Sequence, residues 1–100
     1  MKLYLDDTRP PPDGWILCRW PDEVIEHIKR GGVEEISLDH DLGDDKRGTG
    51  YDVLRWLEKK LYEDPSFPVP VIHIHTANPV ARKKMAMAIY MMNRRASHES

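Results

Sequence analysis

The sequence predicts an α/β fold: a three-layer sandwich built on a mainly parallel four-stranded sheet of strand order 2-1-3-4. Three observations carry this expectation. Short apolar runs alternate with segments of helical periodicity, as in a parallel sheet covered by helices. The connections are short, and parallel crossovers are right-handed, which places the first and third strands side by side in the middle. The 100 residues leave room for one core, so residues 1–100 are read as a single domain.

The elements follow in order. "MKLYL" is a strand stopped by Asp6 and Asp7, and the following "TRPPPDG" is a stiff loop, because three prolines remove donors and fix φ. "WILC" is the second strand. Pro21 then suits a first helical turn after Trp20, an unusual N-cap, and Val24, Ile25 and Ile28 form a stripe closing at Gly31. "VEEISL" is the third strand, followed by a long acidic loop from Asp39 to Gly48. Thr49 and Asp52 have capping-box spacing, and Val53, Leu54, Leu57 and Leu61 recur at helical intervals until Pro65. "VPVIHIH" reads as the fourth strand. From Pro79 onward, Ala81, Met85, Ala88, Ile89 and Met92 mark one face of a final helix, with the methionines as core filler.

Composition narrows the function classes. With 40% hydrophobic and 32% charged residues the chain is an ordinary globular one, and no apolar stretch approaches the roughly 20 residues that span a bilayer. The N-terminus is not a secretory signal, so a cytoplasmic protein with no membrane partner is expected. Cys18 is the only cysteine, which excludes an internal disulfide, and its apolar neighbours suggest inert packing. The formal net charge of −2 argues against indiscriminate nucleic-acid binding. The charge is nevertheless uneven: from Pro79 to His98 there is no Asp or Glu, whereas Arg82, Lys83, Lys84, Arg94 and Arg95 supply cations for a solvated helix face or for phosphate.

The carboxyl ends of parallel strands open on one edge, where ligands bind. Asp6 and Asp7 follow the first strand, Asp39 and Asp41 the third, and His75, Thr76 and Asn78 the fourth. Carboxylates drawn together repel unless a cation compensates, so Asp6, Asp7, Asp39 and Asp41 are expected to hold a divalent ion, Mg2+ or Mn2+. His75, or His40 between its two aspartates, could transfer protons. His73 shares a face with His75, a pair that could ligate zinc, but the stronger expectation is that His73 is a buried, hydrogen-bonded core residue, whereas His27 and His98 belong to the surface. Arg9 could contact a phosphate oxygen or be an exposed loop arginine. Asn78 could donate to an oxyanion or cap the last helix, and Asp44 and Asp45 read as turn residues.

At these residues the chain resembles the cyclic-phosphate-processing receiver-like domains, small relatives of response-regulator receivers. The likeness rests on "LYLDDTRPPPDGW", on "SLDHDLGDD" followed by "GTGYDV", and on "HIHTANPVARKKM", three motifs in one order across nearly the whole chain. It implies a receiver-type, flavodoxin-like domain without the first helix and fifth strand, acting on a cyclic phosphate at an RNA end or on a nucleotide. It further implies that Asp6 and Asp7 match a magnesium-binding pair, Asp39 a phosphoryl acceptor, and Thr76 the hydroxyl after the fourth strand. The lysine after a fifth strand has no counterpart, which weakens a signalling role.

Two functions are therefore expected. One is a metal-dependent phosphoesterase opening a 2′,3′-cyclic phosphate, with Asp39, His40, His75, Thr76 and Asn78 as catalytic candidates and Arg9, Arg82 and Lys83 as phosphate contacts. The other is a degenerate receiver that binds a phosphorylated ligand or a protein partner without turnover.

Overall fold

A computed structural model describes residues 1–99, with side chains described through Arg95; His98, expected at the surface, lies outside the described side chains. The elements are β1 (Lys2–Leu5), β2 (Trp15–Cys18), α1 (Pro21–Arg30), β3 (Glu35–Leu38), α2 (Gly50–Glu63), β4 (Val71–Ile74) and α3 (Pro79–Glu99). The sheet is wholly parallel in the order β2-β1-β3-β4, as the sequence predicts. β4 starts at Val71 rather than Val69, in keeping with Pro68 and Pro70, which have no N–H to give a ladder.

Local chemistry sets the helix ends. α1 begins with Pro21 after Trp20, carries Asp22 and Glu23 in its first turn, and stops at Gly31, whose φ of 92° only glycine adopts freely. Thr49 and Asp52 form the expected capping box at the start of α2. Asn78 caps α3 through Oδ1, which accepts from the backbone N–H groups of Val80 and Ala81 at 3.1 Å.

The register sorts alternate residues onto two unlike faces. Leu3, Ile36 and Ile72 align across the sheet, as do Cys18, Leu5, Leu38 and Ile74. This face joins Val24 and Ile28 of α1, Leu54, Leu57 and Leu61 of α2, and Met85, Ala88 and Met92 of α3 in one core. Each fully buried aliphatic side chain there contributes about 1.5–3 kcal/mol relative to exposure. The opposite face carries Lys2, Tyr4, Trp15, Leu17, Glu35, Ser37, Val71 and His73.

The helical covering is one-sided, which corrects the expected three-layer sandwich to one helical layer on the sheet. The steps β2 to β3 and β3 to β4 run in the same direction across the sheet, so right-handed crossovers put α1 and α2 on the same face. α2 packs between α1 and α3. The step from β1 to β2 runs the other way and belongs to the opposite face, but there the proline-rich segment is a loop. Among the described residues no helix covers that face: Leu17, Val71 and the His73 side chain are about half exposed.

Candidate functional site

The ladder continues past the strand ends. Asp39 N–H donates to Leu5 O and His75 N–H to Leu38 O, each at 3.0 Å, while Asp6 N–H donates to Cys18 O at 3.1 Å. Asp6, Asp39 and His75 thus lie two residues beyond Tyr4, Ser37 and His73 and share their face. One ligand atom from each of the three comes within 4.8 Å of the others. Residues separated by up to 69 positions meet at one edge.

The cluster is tightly bonded. Asp6, only 2% exposed, accepts through Oδ1 from the backbone N–H groups of Thr8 (2.8 Å) and Arg9 (2.9 Å), and its Oδ2 pairs with His75 Nε2 at 2.9 Å. His75 Nδ1 meets Ser37 Oγ at 2.7 Å, and the ring stacks on Tyr4 with centroids 4.3 Å apart and planes 3° from parallel. Both ring nitrogens and one ring face of His75 are therefore fixed.

The two carboxylates differ electrostatically. Burial pushes the Asp6 pKa up, but the N–H groups of Arg9 and Thr8 and the His75 ring together outweigh it and hold the carboxyl below its ordinary value. At Asp39 burial also comes first, and here the Asp6 charge adds to it. The His40 N–H, His75 and the Thr76 hydroxyl offset this only partly, so the Asp39 pKa is raised.

The profile of the cyclic-phosphate processing receiver domain family matches residues 1–91. The chain belongs to that family. Comparison with curated proteins and with solved structures gives no significant match.

Within this receiver-type frame, the residues expected at the site separate into four groups. Asp6, Asp39 and His75 converge, and Thr76, 6% exposed, supports Asp39. Asp7 lies by the Leu42–Gly43 turn, where its Oδ2 would stand 3.7 Å from a Cβ at Gly43, and Asp41 points outward to pair with His40 Nδ1 at 2.9 Å. Neither belongs to the converging group. Arg9 sits on the turn held by Asp6, and Arg82 donates to Ile74 O at 3.4 Å, so both cations stand at this edge. Lys83 instead lines a groove between α2 and α3, and the Asn78 carbonyl is committed to its cap.

His73 reverses its expectation as a core residue. Its side chain is 48% exposed and pairs with Glu35 Oε1 at 2.9 Å, because no helix covers its face, while His75 is the more buried of the two. Cys18 is buried, and burial pushes its thiol pKa up to about 11, which agrees with inert packing. Asp44 Oδ1 accepts from Lys46 N–H at 3.0 Å, the turn role expected of it.

Three contributors have no clear sequence signal or an overlooked one. Leu42 is fully buried inside the acidic loop and anchors it to the core, and Arg19 donates to its carbonyl at 2.6 Å. Gly50 packs against the Asp39 backbone so closely that a Cβ there would collide with the Asp39 carbonyl, which keys the start of α2 to the site. Ser37 was legible through alternation, since it stands two residues before Asp39.

The donor set suits a divalent cation. Two carboxylates satisfy a hard ion such as Mg2+, while an imidazole nitrogen moves the preference toward Mn2+ among the expected ions. Burial first, and then the Asp6 charge, disfavour an ionised Asp39, and a bound cation would offset both. Ser37 at His75 Nδ1 would fix the ring to present Nε2, as outer-shell partners do for histidine ligands.

Proposed function

We propose that this chain is a metal-dependent phosphoesterase that opens a 2′,3′-cyclic phosphate on an RNA end or a nucleotide. The convergence of Asp6, Asp39 and His75 is the observation that supports it most. These residues would hold Mg2+ or Mn2+, which when bound supplies positive charge toward the phosphate oxygens. Arg9 and Arg82 would contact the phosphate from the same edge. In the reaction a water oxygen bonds to phosphorus and one of the two ribose P–O bonds breaks, leaving a monoester. His40, its Nδ1 held by Asp41, would take the water proton and return one to the departing ribose oxygen. Thr76 would position Asp39.

The test is incubation with an oligonucleotide ending in a 2′,3′-cyclic phosphate, with Mn2+ or Mg2+ and with EDTA. Ring opening should require metal and be lost in Asp39→Asn, whereas Ser37→Ala should lower it about ten- to a hundredfold. Full activity in EDTA or in Asp39→Asn would sink the proposal.

One observation favours a second reading, a non-catalytic module that binds a phosphorylated ligand or protein partner. Both His75 nitrogens already have protein partners, and among the described residues no buried side-chain polar atom lacks one. Calorimetry with the same oligonucleotide separates the two: a ligand recovered uncleaved after saturable binding supports the module, and a consumed ligand supports the enzyme.

A further inference from the structure

Away from the carboxylate edge, α2 and α3 enclose an open groove of about 1030 Å3 whose lining includes none of Asp6, Asp39 or His75. Its apolar part is unusually exposed: Tyr62 (76%), Val80 (77%), Met87 (60%) and Met91 (54%) all face solvent. Single exposed apolar residues are ordinary on protein surfaces, but a contiguous set rimmed by charge marks an interaction site. The rim is of one sign. Among the described residues, Arg55, Lys59, Lys83, Lys84 and Arg95 line the groove against one acid, Glu58.

We propose that this groove docks an acidic amphipathic helix of a partner protein. Charge complementarity selects the sign: flanking carboxylates on the incoming helix would pair with the five cations and steer its approach. The floor selects the shape. Leu61, Ala88 and Met92 lie beneath the exposed methionines, and flexible thioether side chains adapt to apolar side chains inserted at helical spacing. From Pro79 to Arg95 the groove follows α3 for about 24 Å, the length of some sixteen helical residues.

Two other occupants fit less well. A single-stranded nucleic acid needs open aromatic faces, but Lys84 Nζ lies 4.2 Å from the Tyr51 ring centroid and the Arg95 guanidinium 5.4 Å from that of Tyr62. A second copy related by a two-fold axis would set the same five cations against themselves.

The test uses a fluorescent peptide of about sixteen residues, with leucines at i, i+3, i+4 and i+7 spacing and glutamates on the flanks. Its controls are a scrambled peptide of the same composition and an oligouridine of similar length. The acidic amphipathic peptide should bind saturably and gain helical circular dichroism. Met87→Glu and Arg55→Glu, both at exposed positions, should each weaken binding about tenfold or more while leaving the thermal midpoint unchanged. Equal binding of the scrambled peptide, or tighter binding of oligouridine, would overturn the proposal. So would self-association in sedimentation that Met87→Glu abolishes.

Discussion

The two faces of the sheet are made by the same four strands, with alternate residues going to each, yet they do different work. The covered face is aliphatic, with Leu3, Leu5, Ile36 and Leu38 fully buried beneath three helices. The bare face carries Tyr4, Trp15, Ser37, Glu35 and His73, and its line of side chains ends in Asp6, Asp39 and His75. A period of two residues thus separates stability from chemistry, and a substitution should be felt according to the face it falls on.

The largest effect should come from the covered face. Leu38→Ala removes a fully buried side chain at the centre of the core and should cost about 2–5 kcal/mol, read from the shift in the urea midpoint. A loss below about 1 kcal/mol would mean that the face is less closely packed than its burial indicates.

At the bare face's carboxyl end the two aspartates should respond in opposite directions. Asp6→Ala leaves Thr8 N–H, Arg9 N–H and His75 without their acceptor and should cost about 1–3 kcal/mol. Asp39→Asn should instead raise the stability of the metal-free protein, by less than about 1 kcal/mol, because it removes a charge that burial and Asp6 disfavour. The pH dependence carries the same signs. With its folded pKa depressed, Asp6 contributes stability that is present above the unfolded carboxyl value of about 4 and lost as pH falls through the folded value. With its folded pKa raised, Asp39 contributes stability that is present below about 4 and lost as pH rises through the folded value. Urea titrations across the acid-to-neutral range, compared between the wild type, Asp6→Ala and Asp39→Asn, isolate the slope each carboxyl contributes.

The smallest effect belongs to the middle of the bare face. His73→Ala removes an exposed pair with Glu35 and should shift stability by less than about 0.5 kcal/mol. A loss comparable with that of Leu38→Ala would show that something covers this face in solution.

Local rules made much of this legible in the sequence. The Thr49–Asp52 box, Pro21 at the start of α1, Gly31 at its end and the strand order all follow from propensity and handedness. The site was legible in part, because strand ends on one edge bring Asp6, Asp39 and His75 together. The departures come from information that is not local. Whether a helix covers a given sheet face decides the burial of His73 and His75, and alternation alone treats them alike. Leu42 sits among four aspartates, so its neighbours conceal that it is the loop's anchor in the core. Asp7 and Asp41 were grouped with their neighbours by sequence position, but consecutive and loop carboxylates point in different directions once the backbone is fixed.

The placement of β1 bears on how the chain folds. It lies between β2 and β3, and every pairing in the sheet is parallel, so no strand can find its neighbour through a tight hairpin. During synthesis β1 cannot complete its ladder until Glu35–Leu38 have emerged, about 30 residues later. Closing such distant contacts before they yield much enthalpy gives a slower search than in a helical bundle of the same size.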